Sequence, residues 1–248
     1  MQQYVVRPND TLFIIAREFN VPLAQLISAN PHITNPNAIR PGQTIIIPDL
    51  IPIPEQLLVM ETNAEEIIDD LYARDLQSVR NKIEIIKRNM RDVLPQLQQA
   101  LVQENIINEL NHAIRILEGY TIQERMFPAM SQANQITRYI ADALDYFKTL
   151  IPSDIRRLSY LARQIIINIE QNDWGEAKNN YNRALTVWNR NKSQLNETNA
   201  EDVDYMERVF ENLDISIERQ EYSGTIRNAI LMADAADALG SIFFERNR

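Results

Sequence analysis

The sequence predicts a small α+β unit of strand–helix–helix–strand order, followed by a larger all-α antiparallel helical bundle or array. Three observations predict it. The first fifty residues hold short β-branched and aromatic runs bounded by Pro, Gly and Asn; residues 51–54 alternate Ile and Pro; and beyond about residue 63 apolar side chains recur at steps of three and four. Composition agrees with a mostly helical chain, because glycine is held to 5 of 248 residues while Ala, Leu, Ile, Glu, Gln, Arg and Asn are plentiful.

The N-terminal unit reads in order. Tyr4-Val5-Val6 and Thr44-Ile45-Ile46-Ile47 have the composition of short strands. Between them, Asp10-Thr11 opens a helical pattern carrying Leu12, Ile15, Ala16 and Phe19. A second pattern, Pro22 to Asn30, places Pro in its first turn and Leu23, Leu26 and Ile27 on one face. The chain therefore divides into residues 1–49, a proline-rich linker at 50–62 whose Ile51-Pro52-Ile53-Pro54 reads as a stiff extended connector, and an all-helical domain at 63–248.

Within the helical domain the clearest stripe runs from Ala64 to Val93 through Ile67, Leu71, Val79, Ile83, Ile86 and Met90. Pro95 is expected to open a second helix ending near Gly119, and a third starts near Pro128. Ser153-Asp154 caps a fourth, and Asn172-Asp173 ends it and starts a fifth bearing Trp174 and Trp188. A sixth carries Val203, Met206, Phe210, Leu213 and Ile217, and an alanine-rich seventh spans Ile226 to Phe243. Short connections favour antiparallel packing of neighbours.

The N-terminal residues also spell a family pattern. Tyr4-Val5-Val6, Asn9-Asp10-Thr11-Leu12, Ile15-Ala16, Phe19-Asn20-Val21, Leu26, Ala29-Asn30-Pro31 and Ile39-Arg40-Pro41-Gly42-Gln43, then Ile45, Ile47 and Pro48, resemble a LysM module over about fifty residues. The resemblance implies a βααβ fold that grips N-acetylglucosamine-containing polymers, peptidoglycan or chitin-like, in a shallow groove between two loops. Carried onto this sequence, those loops are Asn9-Asp10-Thr11-Leu12 and Asn30-Pro31-His32-Ile33. The implied glycan-binding residues are Asn9, Asp10, Thr11, Leu12, Pro31, His32 and Ile33. An acetamido group offers one donor, one acceptor and a methyl, so uncharged main-chain groups over a small apolar floor suit it. The family's usual glycine before Asp-Thr-Leu is here Asn9, a residue that tolerates a left-handed backbone. Simpler roles also fit: Asp10 or Thr11 as helix cap, Ile33 as core, His32 as an exposed loop residue.

The remaining sequence offers little catalytic chemistry. There is no cysteine for thiolate chemistry, and only His32 and His112, in different domains, for a zinc amidase. Glu109-Leu110-Asn111-His112 has di-iron ligand spacing but no second copy. Trp174 and Trp188 lie on a buried-looking stripe, with sugar stacking as the sharper alternative. The formal charge of -9 argues against nucleic-acid phosphates and anionic lipid, and no stretch is apolar enough for membrane insertion.

The expected protein is thus a noncatalytic glycan binder without cofactor or metal. Its helical domain is a scaffold or docks a protein partner. Two rivals stand beside it: a cell-wall hydrolase of lytic transglycosylase or lysozyme type, working through a Glu in a partly apolar pocket, and a structural assembly protein of a spore coat or phage-like tail. The opening Met1-Gln2-Gln3-Tyr4 shows no signal peptide, so the expectation is cytoplasmic synthesis with assembly-based targeting to the bacterial cell envelope or the spore cortex and coat.

Overall fold

A computed structural model describes residues 2–19, 21–49, 51–192, 195 and 200–247; Asn20 of the LysM-like pattern lies outside the described residues. The N-terminal unit has the expected order: β1 (Gln2–Val5), α1 (Leu12–Glu18), α2 (Leu23–Ser28) and β2 (Thr44–Ile47). The strands pair antiparallel with Gln2 opposite Ile47 and Val5 opposite Thr44. Alternation within each four-residue strand sends Tyr4, Ile45 and Ile47 inward. There they meet Leu12, Ile15 and Ala16 of α1 and Leu26 of α2. Tyr4 and Phe19 close one side edge to face, with ring centroids 5.2 Å apart.

A largely helical domain follows: α3 (Glu55–Ala73), α4 (Leu76–Gln99), α5 (Glu104–Ile122), α6 (Met126–Leu144), α7 (Ser153–Glu170), α8 (Trp174–Asn191), α9 (Ala200–Glu218) and α10 (Tyr222–Asn247). It builds two cores. One gathers the apolar faces of α3 to α6, the other those of α7 to α10. No helix among the described residues is long and apolar enough to cross a membrane.

Three expected boundaries move. The stretch read as linker to residue 62 is helical from Glu55, because Pro54 sits at the N-cap with Glu55 in the first turn, and Leu57, Met60 and Ala64 extend the buried stripe upstream. Ile51 and Ile53 pack on the first core, and the Ile51 carbonyl accepts the Lys148 N–H at 2.8 Å, so the extended proline stretch is pinned along its length. The stripe from Ala64 to Val93 is two helices, not one. Arg74 takes a left-handed φ of 59°, and Asp75 caps the next helix by accepting the Ser78 N–H at 2.9 Å.

Pro95, expected to start a helix, lies inside α4. Its missing donor falls opposite the carbonyl of solvent-exposed Arg91, and its neighbours Val93 and Leu97 are fully buried on the core side. Water can satisfy that carbonyl while the apolar flank holds the helix together.

One device closes five of the interhelix turns. Arg74, Leu101, Glu124, Asn172 and Gln220 all have positive φ. In each case the next residue donates its N–H five positions back: Asp75 to Asp70, Val102 to Leu97, Arg125 to Tyr120, Asp173 to Asn168 and Glu221 to Ser216, at 2.8–3.0 Å. This is the Schellman termination, which usually employs glycine.

Candidate functional site

The first loop begins where β1 ends. Val6 exchanges main-chain hydrogen bonds with Gln43 and Gly42, at 2.9 and 2.8 Å, and Gly42 turns at a φ of 87°. Asn9 takes the left-handed backbone expected of it, with φ of 70°. Asp10 then folds back. Its Oδ2 accepts the Arg7 N–H at 2.7 Å and the Tyr4 hydroxyl at 2.8 Å. These two donors, the Arg7 amide foremost, hold the Asp10 carboxyl below the usual range. Burial, and then the hydrogen bond to Asp10, lifts the Tyr4 phenol. Thr11, not Asp10, caps α1 by accepting the Ile14 N–H at 3.1 Å.

The second loop is fastened to the other strand. Asn30, 1% exposed, donates from Nδ2 to the carbonyls of Leu26 and Ile46, both at 2.8 Å, and its Oδ1 accepts the Ile46 N–H at 2.7 Å. Its amide thus pairs with both main-chain groups of one β2 residue, as a neighbouring strand would. The Ile33 N–H donates to the Asn30 carbonyl at 2.9 Å. Sequence reasoning placed Asn30 in the loop but not among the functional residues.

The seven expected contact residues separate by exposure. The side chains of Asn9, Thr11, Pro31 and His32 face solvent, whereas Asp10 is half-buried in its clamp. Leu12 is 2% exposed and belongs to the core, so only its main chain borders the loop. Ile33 is half-buried and leans on the same core. His32 Nε2 stands 3.4 Å from the Thr44 carbonyl, near the limit for a hydrogen bond.

Both loops spring from adjacent rungs of one ladder, since Asp10 holds Tyr4, which faces Ile45, and Asn30 holds Ile46, which faces Gln3. The exposed loop side chains Asn9, Thr11 and His32, with the main chain, can offer amide, hydroxyl, imidazole and main-chain groups to a neutral ligand. One face of α2 is occupied. Ala24 of α2 packs on the first helical core and Ser28 hydrogen-bonds Tyr146.

The helical domain holds the other candidates. Trp188 is fully buried, stacks on Phe210 with centroids 6.3 Å apart, and donates to Glu207 at 2.8 Å, which makes it core. Trp174 donates to Asn172 at 2.9 Å. Glu109 accepts the Tyr139 hydroxyl at 3.1 Å, and His112 is exposed. Among the described residues no group of three or more His, Asp or Glu is placed to hold a metal ion. Among the described residues the one buried Glu is Glu61 of α3, 6% exposed, paired with Arg156 of α7 at the edge of a cavity. Burial pushes its carboxyl up to about 7, against the lowering effect of Arg156.

Comparison with known proteins agrees with the N-terminal geometry. Residues 4–48 match the LysM domain. The chain is 42% identical over 69 residues to N-acetylmuramoyl-L-alanine amidase XlyA of Bacillus subtilis (strain 168), covering 25% of this chain and 23% of that one. It is 47% identical over 45 residues to the secreted LysM effector ECP6 of Passalora fulva, covering 18% and 20%. The chain thus spans about a fifth to a quarter of the length of these curated relatives. No solved structure matches it.

Proposed function

Residues 4–48 being a LysM domain, which implies binding of N-acetylglucosamine-containing glycan, we propose that this protein is a noncatalytic cell-wall adaptor. The glycan lies across Asn9-Asp10-Thr11-Leu12 and Pro31-His32-Ile33. Main-chain amides of both loops meet the acetamido group, Leu12 and Ile33 lie beneath the groove as its apolar support, and Asp10 and Asn30 act as positioning residues. The observation that carries this reading is the pair of clamps that fixes both loops to neighbouring rungs of β1 and β2. Loops already ordered lose little entropy on binding, which matters for a weak neutral ligand. A polymer then adds effective concentration by presenting many sites.

The helical domain serves in this reading as a scaffold or protein-docking body. Peptidoglycan, including that of the bacterial envelope or spore cortex, is the favoured polymer, with chitin-like chains as the chemical equivalent. Titrating the full chain with a short N-acetylglucosamine oligomer tests the site: amide resonances of residues 9–12 and 31–33 shift and saturate together. Unmoved signals in both loops would refute it.

A hydrolase reading has one observation in its favour, the enclosed Glu61 with its raised carboxyl pKa, the environment a glycosidic general acid needs. Its carboxylate is engaged by Arg156, which opposes that role. Release of soluble muropeptides from purified wall, lost in Glu61→Gln, would establish hydrolysis and overturn the adaptor.

A further inference from the structure

We propose that the outward face of α10 is a self-docking surface, on which α10 of a second copy of this chain lies antiparallel. The helical domain repeats itself. Pro54 and Pro152 are the N-caps of α3 and α7, Arg74 and Asn172 follow those helices with a left-handed turn, and Asp75 and Asp173 cap the next helices, all at one constant spacing. At a second constant spacing Glu124 and Gln220 turn alike, and buried Ala133, Ile136 and Phe147 correspond to buried Ala229, Met232 and Phe243. Helices α7 to α10 thus restate α3 to α6, and α10 is the counterpart of α6.

The two counterparts differ on one face. On α6 that face is covered by α7: Asn134 is fully buried and donates to the Tyr160 carbonyl at 3.0 Å and to Gln164 at 3.1 Å. On α10 the matching residue is Ile230, and it stands 46% exposed. The covered position carries an amide and the open one an aliphatic side chain, the reverse of a stack that ends in water, where the outer face is polar. Helix α10 packs on α7 and α9 and turns Ala229, Met232, Ala236 and Phe243 toward them, which leaves Ile230 on the far side.

The stripe around Ile230 selects its occupant. At about 3.6 residues per turn, Ser223, Arg227, Ile230, Asp234 and Ala238 follow one line along α10, all exposed, with half-buried Leu231 at its border. About the Ile230–Leu231 bond this stripe is self-complementary. Arg227 and Asp234 lie equally far to either side, and beyond them Ser223 and Ala238. An antiparallel α10 related by a two-fold axis at that bond sets Arg227 of each copy against Asp234 of the other, Ile230 against Leu231, and small Ser223 against small Ala238. Neither the Arg227 nor the Asp234 side chain has a hydrogen bond or ion pair among the described residues, so both are free to pair across the axis. A purely basic helix from another protein would satisfy Asp234 but oppose Arg227, whereas a second copy answers both. The inference goes beyond the glycan reading, since no residue of the two N-terminal loops takes part; two joined copies would present two such units to one polymer.

Sedimentation equilibrium of the full chain tests it. The unaltered chain forms a dimer that weakens as salt is added, because exposed ion pairs are screened. Arg227→Asp and Asp234→Arg each raise the dimer dissociation constant about tenfold or more, since each substitution places two like-charge contacts across the axis. Mixed in equal amounts, the two variants pair with one another at the affinity of the unaltered chain, because every contact is then again between opposite charges. That rescue also shows that both variants are folded. Their N-terminal loops keep wild-type shifts on titration with the N-acetylglucosamine oligomer, so this proposal and the glycan reading stand or fall separately. A chain that stays monomeric up to submillimolar concentration overturns the proposal, as does a dimer indifferent to both reversals. If either variant misfolds, Ile230→Gln on the otherwise unaltered chain decides: weakened association supports the face, and unchanged association overturns it.

Discussion

Asn30 stands in for a third strand against Ile46: one side-chain amide answers both the N–H and the C=O that β2 turns away from β1. A two-stranded sheet has only edges, and edges left open pair with other chains or with water. Here the closing group is a single side chain, which also sets where Pro31 and His32 emerge.

Replacing it is therefore expensive. Asn30→Ala leaves the Ile46 N–H and carbonyl unmet in a part-buried place and is expected to destabilise the N-terminal unit by about 2–4 kcal/mol. Amide exchange of Ile46 accelerates, oligosaccharide binding falls with it, and exchange in the fully buried stretches of α3 and α4 stays as it was.

Asp10 makes the first loop sensitive to acid. Its folded pKa is depressed, so the stabilisation is present above the ordinary carboxylate value of about 3.9 and is lost as pH falls through the lower folded value. Protection of the Arg7 amide, its exchange measured against the intrinsic rate at each pH, should fall in that acid window. Asp10→Asn should show the faster rate at all pH, with no acid step.

Glu61 acts in the opposite sense. Its folded pKa is raised to about 7, so the folded state holds a proton that the unfolded state has already released above about 4.3. Stability then declines as pH climbs from that value to about 7 and is level beyond it. The groups facing this carboxyl are Glu65 on its own helix, Arg156 and Arg163 of α7, and Asp237 of α10. A carboxyl carbon titration should place its midpoint near 7. Arg156→Met should move it higher still, and Glu61→Gln should flatten the pH dependence of unfolding over this range.

The five left-handed turns offer the opposite kind of change. Arg74, Glu124 and Gln220 hold a conformation that costs a side-chain-bearing residue roughly 1–2 kcal/mol. Substituting glycine relieves that strain but loosens the unfolded chain, for a net gain of about 0.5–1 kcal/mol each. Each turn is closed by its own local hydrogen bonds, so departure of the triple variant from the sum of the singles measures any coupling between them. Urea midpoints of the single and triple variants measure this.

Those turns also explain what the sequence hid. In the first fifty residues, chain reversals are marked by Gly42, Pro22 and Asn9, residues whose backbone preferences announce them, and the order of elements there was legible. In the helical domain the reversals at Arg74, Leu101, Glu124 and Gln220 use residues with no such preference, so periodicity ran on across the first of them. Pro95 misled in the other direction, because a proline with its carbonyl partner in solvent does not break a helix held from beneath. The family resemblance marked out the two loops, but Leu12 was not recognisable as core from its place in the motif. The role of Asn30 depends on a strand sixteen residues away. The fold brings Glu61 to Arg156, 95 positions along the chain, and no local pattern encodes that meeting.

The pinning of Ile51 to Lys148, together with the seating of Ala24 on the first helical core, bears on mechanics. In the proposed adaptor, a load applied to the loop face would pass through these contacts into the helices, and whatever the bundle carried would be held at a set angle to the polymer, like a bracket bolted to a surface.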